Sequence, residues 1–87
     1  MRDGHKRLIN EIEAMLQSRE FDALHKRKRE ELRQLADAVR QEINKDKPET
    51  AKVRSRGETL LAKTTEFGLT VCAHAMGAAL AVFAIGE

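Results

Sequence analysis

The sequence predicts an all-α protein with a long N-terminal amphipathic helix, a polar linker and a C-terminal hydrophobic helix. Strong helix formers dominate residues 4–46. Apolar residues in this region recur at spacings of three and four or their sums, as on one face of a helix. The chain has one proline and five glycines, too few turn-forming residues for an all-β fold.

The first element occupies residues 1–47 and is predicted as one continuous helix, with Asp3 as its N-cap. A helical hairpin that turns near residues 18–22 is the alternative, although no glycine or proline lies there. Leu8, Met15 and Phe21 broaden the apolar face near its start. Because a lone amphipathic helix gains most of its stability from packing, we expect this face to dock a partner. The predicted docking residues are Ile9, Ile12, Leu16, Leu24, Leu32, Leu35, Val39 and Ile43.

A polar, basic linker is predicted at residues 48–57. Pro48 ends the first helix, because the residue before a proline is disfavoured in the α region. The stretch AKVRSRG that follows carries only positive charge. Ser55 and Glu58 match a capping box, so a second helix is predicted to begin there.

Residues 58–87 are predicted to form a stem and a hydrophobic helix. The stretch FGLTVCAHAMGAALAVFAIG, residues 67–86, has no formal charge, and 29 of the chain's 30 charged residues precede it. Twenty residues of helix are about 30 Å long, the thickness of a bilayer's hydrocarbon core. The pattern therefore favours a single-pass membrane span. Arg54, Arg56 and Lys63 before the span place the N-terminus in the cytoplasm.

The alternative is a helix buried in a soluble bundle. A helix that is apolar all round must be surrounded by apolar surface, and one interrupted stripe covers only one side of it. This interpretation therefore requires an oligomer, cytoplasmic or virion-associated, whose C-terminal helices share a core.

Small residues in the hydrophobic helix suggest a packing surface. Their spacing of four or near four would let two helix backbones approach closely, although an alanine-rich segment also produces such spacings by chance. The predicted helix-packing residues are Gly68, Ala73, Gly77 and Ala81.

His74 is the one histidine of the hydrophobic segment. An ionisable residue inside a membrane suggests a haem or pigment ligand or a proton-responsive site, but a neutral, hydrogen-bonded histidine is favoured. Cys72 lies two positions away, about 200° around a helix, so the two cannot share a metal ion. No cofactor and no metal site are predicted.

The run from His25 to Arg29 is basic and suggests phosphate contacts with nucleic acid or lipid headgroups. Asp22, Glu30 and Glu31 offer partners at helical spacing, which favours a solvated, salt-bridged face. The chain has no Trp or Tyr for base stacking. Nucleic-acid binding is therefore not favoured.

Catalytic motifs are not recognisable: the sequence has no glycine-rich phosphate loop and no convincing nucleophile–histidine–carboxylate set. An enzyme is not predicted. The sequence instead predicts a structural or adaptor subunit, anchored by its C-terminal helix, with other protein subunits or a second copy as partners. The alternative function is a soluble helical oligomer that serves as a virion or assembly scaffold.

Overall fold

The computed structural model describes the backbone of residues 2–85 and the side chains of residues 2–82. All regular structure in this part of the chain is helical, which confirms the all-α prediction. The helices are α1 (Asp3–Leu16), α2 (Arg19–Asp22), α3 (Lys26–Ile43), α4 (Thr50–Glu66) and α5 (Thr70–Ile85).

The four longer helices form an antiparallel bundle of 35 × 21 × 18 Å. Short connections make successive helices antiparallel neighbours. α5 packs between α1 and α4, and α3 packs on the other side of α4. α1 and α3 also touch but contact each other less extensively. The N-terminus of α1 and the C-terminus of α3 therefore lie at the same end of the bundle.

The single long N-terminal helix was a wrong prediction, because the chain turns between Leu16 and Lys26. Ser18 caps the short α2: its Oγ accepts a hydrogen bond from the Phe21 backbone N–H at 3.1 Å. The turn includes residues 18–22, where the alternative prediction of a helical hairpin placed it. It places the Phe21 ring fully in the core, which offsets the lost helical hydrogen bonds.

Most of the predicted linker is helical. α4 begins at Thr50 and includes residues 50–57, so Ser55 lies inside the helix rather than at its cap. Arg56 donates a hydrogen bond from its guanidinium to the carbonyl of Ala38 at 3.0 Å. The basic segment thus joins α4 to α3 instead of separating two parts of the chain.

The predicted membrane span is contradicted: no helix among residues 2–85 is both long enough and apolar enough to cross a bilayer. The reason is a break at Gly68, whose φ of 85° ends α4. α5 has 16 residues, about 24 Å of helix, against a hydrocarbon core of about 30 Å. The single-pass localisation and its orientation are corrected accordingly. Gly86, the last predicted span residue, and Glu87 lie outside the described residues.

One hydrophobic core joins all the helices. α4 contributes Val53 and Leu60, both fully buried, and this second apolar surface is what the sequence interpretation lacked. Three fully buried residues of the first two helices, Leu8, Met15 and Phe21, complete the N-terminal side. A single chain therefore covers the inner side of its own apolar helix.

Candidate functional site

The residues of the predicted docking stripe are buried or partly buried in the core of this chain's own bundle. Its central residues Ile12, Leu32 and Val39 are fully buried, and Ile43 is nearly so. The other four are partly buried and pack against the same core: Ile9, Leu16, Leu24 and Leu35. The stripe thus packs α1 and α3 into their own bundle.

The four small residues predicted to pack helices do not share one surface. Gly68 forms the turn between α4 and α5, and Ala73 faces the core. A β-carbon at Gly77 would lie 3.9 Å from Leu61 of α4, so this glycine faces α4 within the chain. Ala81 alone of the four is an exposed residue of α5. Packing of these residues against another chain stays a prediction.

Gly68 is positioned by a Schellman motif. Its backbone N–H donates to the Thr65 carbonyl at 3.0 Å, and the N–H of Leu69 donates to the Thr64 carbonyl at 3.1 Å. Leu69 is buried directly after the turn. This motif sets the direction of α5 and therefore decides which of its sides faces solvent.

The inner side of α5 packs on α1 and α4. Its buried residues recur at helical spacing through Ala73, Met76, Ala79 and Leu80. A β-carbon built at Gly57 of α4 would come within 2.7 Å of Leu80 Cδ2, which shows how closely the two helices approach. α5 is thus held firmly along this side.

The opposite side of α5 is exposed and has no formally charged residue. Val71 is 76% exposed, and it is the one large hydrophobic side chain that is exposed among residues 2–82. Its neighbours on this arc of the helix are small or uncharged and are exposed or half-buried. We define the outer face of α5 as Thr70, Val71, His74, Ala75, Ala78, Ala81 and Val82.

His74 lies on this outer face and is exposed, whereas Cys72 is half-buried and packs against the core. The two side chains therefore point to different sides of α5, as their spacing predicts. Within residues 2–85 no group of three potential metal ligands comes together. His74 is thus part of the exposed side of α5.

The charged side chains around Phe67, just before α5, contact one another and the Phe67 ring within the chain. The ammonium groups of Lys28 and Lys63 lie 5.2 and 5.7 Å from the centre of the Phe67 ring, just before α5. Lys63 also pairs with Glu66 at 2.9 Å and Glu31 at 3.4 Å. Hydrogen bonds to Glu66 and then Glu31 raise the pKa of Lys63. This network fixes the α4–α5 turn against α3.

Several residues of the basic run also have roles within the chain. The Nδ1 atom of His25 accepts the Arg27 backbone N–H at 3.2 Å and caps α3. Arg29 donates to the Asp22 carbonyl at 3.3 Å. Together with Lys28 on Phe67, these contacts fit a structural role for much of the run.

Sequence reasoning missed the outer face of α5. Its apolar residues Val71, Ala75, Ala78 and Val82 are spaced by four, three and four. That periodicity signals one helix face, but every face of this segment is apolar, so the pattern could not identify the exposed one. The chain matches no protein-family model, no curated protein and no solved structure.

Proposed function

We propose that this chain is a structural assembly module that associates with a second copy of itself through the outer face of α5. The observation that carries the proposal is a helix side without formal charge on a chain that has 30 charged residues among 87. Each of the other helices carries charged side chains at exposed positions. The outer face of α5 is therefore the surface best suited to exclusion from water.

A second copy is the occupant that the charge distribution favours. Two outer faces brought together by a twofold axis would bury no formal charge, because each presents the same uncharged surface. Most other surfaces of this chain would bury lysine, arginine or glutamate side chains, whose desolvation is costly without good partners. The face is thus self-complementary in electrostatic terms.

Small side chains also support close packing. Ala75, Ala78 and Ala81 project little from the helix, and helices with small contact residues can pack near the short end of the 8–10 Å range of interaxial distances. Val71 and Val82 lie at the two ends of this alanine surface. These larger side chains add apolar area at each end.

The size of the face sets the expected strength of association. The face from Thr70 to Val82 is about 20 Å long and roughly 10 Å wide, so it covers on the order of 200 Å². Stable complexes bury about 800 Å² per partner. We therefore expect concentration-dependent association at micromolar or higher concentration, with neighbouring helices or further copies adding area.

The test is the molar mass of the full chain by light scattering and sedimentation over a wide concentration range. We expect the mass to rise from the 9.8 kDa monomer, and Ala78→Glu to weaken association at least about tenfold. Ala62→Glu is the matched control, because Ala62 is an exposed alanine of α4. Circular dichroism establishes that both variants remain helical.

Two results would overturn the proposal. If the wild-type chain stays monomeric at about 1 mM, a second copy does not bind the outer face of α5. Equal weakening by Ala62→Glu and Ala78→Glu would show that association does not use the outer face of α5.

A further inference from the structure

His74 is the one side chain on the outer face of α5 that can change its charge. The other six residues of this face are threonine, valine or alanine, none of which titrates. His74 is exposed, and its side chain forms no hydrogen bond and no ion pair among residues 2–82. An imidazole gains a proton as the pH falls from about 8 to about 5. The outer face of α5 is therefore uncharged only while His74 is neutral.

His74 lies close to the middle of the face. The face runs from Thr70 to Val82, so its midpoint is about 3 Å along the helix from His74. When two copies pair about a twofold axis through that midpoint, their histidines are offset by at most about 6 Å along the helix. Protonation would therefore place two positive charges near the centre of the interface.

The charged groups of α4 nearest to His74 already have partners. α4 is antiparallel to α5, so His74 lies beside the last turn of α4, one turn beyond the place where Gly77 faces Leu61. The charged residues of that turn, Lys63 and Glu66, pair with each other at 2.9 Å. The same lysine also pairs with a glutamate of α3. These contacts hold both charges of the turn within the chain.

On the other side of α5, α1 contributes two carboxylates. α1 is antiparallel to α5, so its C-terminal half, with Glu11 and Glu13, lies beside the half of α5 that contains His74. Neither carboxylate forms an ion pair with His74 in the part of the chain that the structure describes. The single chain thus supplies no direct partner for a charged imidazole at this position.

We propose that the charge of His74 controls self-association through the outer face of α5, so that the chain pairs at neutral pH and separates in mild acid. This inference rests on the proposed function. Burying an imidazolium costs far more than burying a neutral imidazole, and two imidazolium groups in one interface also repel each other. The paired state therefore binds protons less tightly than the single chain, and a fall in pH favours the single chain.

The linkage between protonation and pairing sets the size of the effect. If the paired faces exclude the proton, each histidine weakens association by about a factor of ten at one pH unit below the midpoint of an ordinary imidazole, about pH 6.5. Two histidines then weaken association by up to about 100-fold between about pH 7.5 and about pH 5.5. Because exclusion of the proton need not be complete, we expect a weakening of at least about tenfold.

The test is sedimentation equilibrium of the full chain at about pH 7.5 and about pH 5.5, at constant ionic strength. His74→Gln keeps the face uncharged at both pH values, so its association should differ by less than about threefold between them. His74→Lys carries a positive charge at both and should associate as weakly at either pH as the wild type does in acid. Circular dichroism establishes that each variant is helical under both conditions.

His25→Gln is the matched control. His25 is the other exposed histidine among residues 2–82, and it lies at the start of α3, which is not one of the helices that pack closely on α5. The His25→Gln variant should keep the pH dependence of the wild type. Both pH values lie above 4.5, the ordinary value for the buried carboxyl of Glu42, so protonation of that group does not contribute.

The possible failures of this inference and of the proposed function are distinguishable. Equal association at both pH values, through a face that Ala78→Glu disrupts, would overturn the inference and leave the proposed function in place. Stronger association in acid would also overturn it and would indicate that a carboxylate of the second copy pairs with the charged His74. Loss of the pH dependence in His25→Gln, but not in His74→Gln, would assign the effect to the cap of α3. If the wild type and His74→Gln are monomeric at both pH values, both proposals are wrong.

Discussion

Glu42 and Glu49 are joined across the turn between α3 and α4, where Oε2 of Glu42 accepts the backbone N–H of Glu49 at 3.1 Å. Glu49 is the N-cap residue of α4, and its own side chain makes no capping hydrogen bond. The other carboxylate oxygen of Glu42 accepts from Lys45 at 2.9 Å and lies 3.5 Å from the Arg56 guanidinium. A buried side chain of α3 thus organises the beginning of the next helix.

This arrangement predicts a loss of stability in acid. The hydrogen bond from Lys45, followed by the backbone N–H of Glu49, lowers the pKa of Glu42 below its ordinary value of 4.5. The folded carboxyl therefore holds its proton less tightly than the unfolded one. Its contribution to stability is complete above about pH 4.5 and is lost as the pH falls through the lower, folded-state pKa.

Urea unfolding of Glu42→Gln over a pH series checks this prediction. We expect the variant to be less stable than the wild type at pH 7, with a difference that shrinks as the pH falls below about 4.5. Asp37→Asn removes an exposed carboxylate of the same helix, one that pairs with Arg40, and should show a much smaller difference. A pH-independent difference for Glu42→Gln would contradict the assigned role of its charge.

Two glycines should respond to alanine in opposite directions. Gly68→Ala places a β-carbon on a residue with φ of 85°, and we expect a loss of about 1–2 kcal/mol in the free energy of unfolding. Gly77 lies inside α5, where an added β-carbon would meet Leu61 at an ordinary 3.9 Å. Gly77→Ala should therefore stabilise the protein by about 0.5–1 kcal/mol.

Thermal unfolding measures both glycine variants. For a domain of this size, each 1 kcal/mol corresponds to a shift of about 4–8 °C in Tm. If Gly68→Ala were as stable as the wild type, the left-handed turn between α4 and α5 would not be required.

His25 should be replaceable by a better N-cap. Its Nδ1 accepts the Arg27 backbone N–H, and aspartate offers an acceptor with a charge that also suits the positive end of α3. We expect His25→Asp to raise the free energy of unfolding by about 0.5–1 kcal/mol and His25→Ala to lower it by about as much. Chemical unfolding compares the variants with Thr65→Ala, an exposed site remote from a helix start. If His25→Asp and His25→Ala were both as stable as the wild type, His25 would have no capping role.

Much of the core could be predicted from the spacing of apolar residues. The stripe through Ile12, Leu32 and Val39 is buried, and the broader set of Leu8, Met15 and Phe21 is buried completely. Periodicity shows that a helix face needs cover, but it does not say whether another chain or another helix of the same chain provides it.

The candidate surface on α5 depends on information that local patterns do not contain. On α5 every face is apolar, so the exposed one is known only after α1 and α4 have packed on the other side.

The sequence by itself determined that this chain is helical, because propensity and apolar periodicity act over a few neighbouring residues. Only the tertiary structure decided where the helices end. At Ser18 and Gly68 the chain gives up helical hydrogen bonds that local propensity favours, and the turns bring Phe21 and Leu69 into the core. Burial of large apolar side chains outweighs the loss of a few helical hydrogen bonds, and that balance depends on residues distant in sequence. The same balance turned a predicted membrane span into one helix of a bundle.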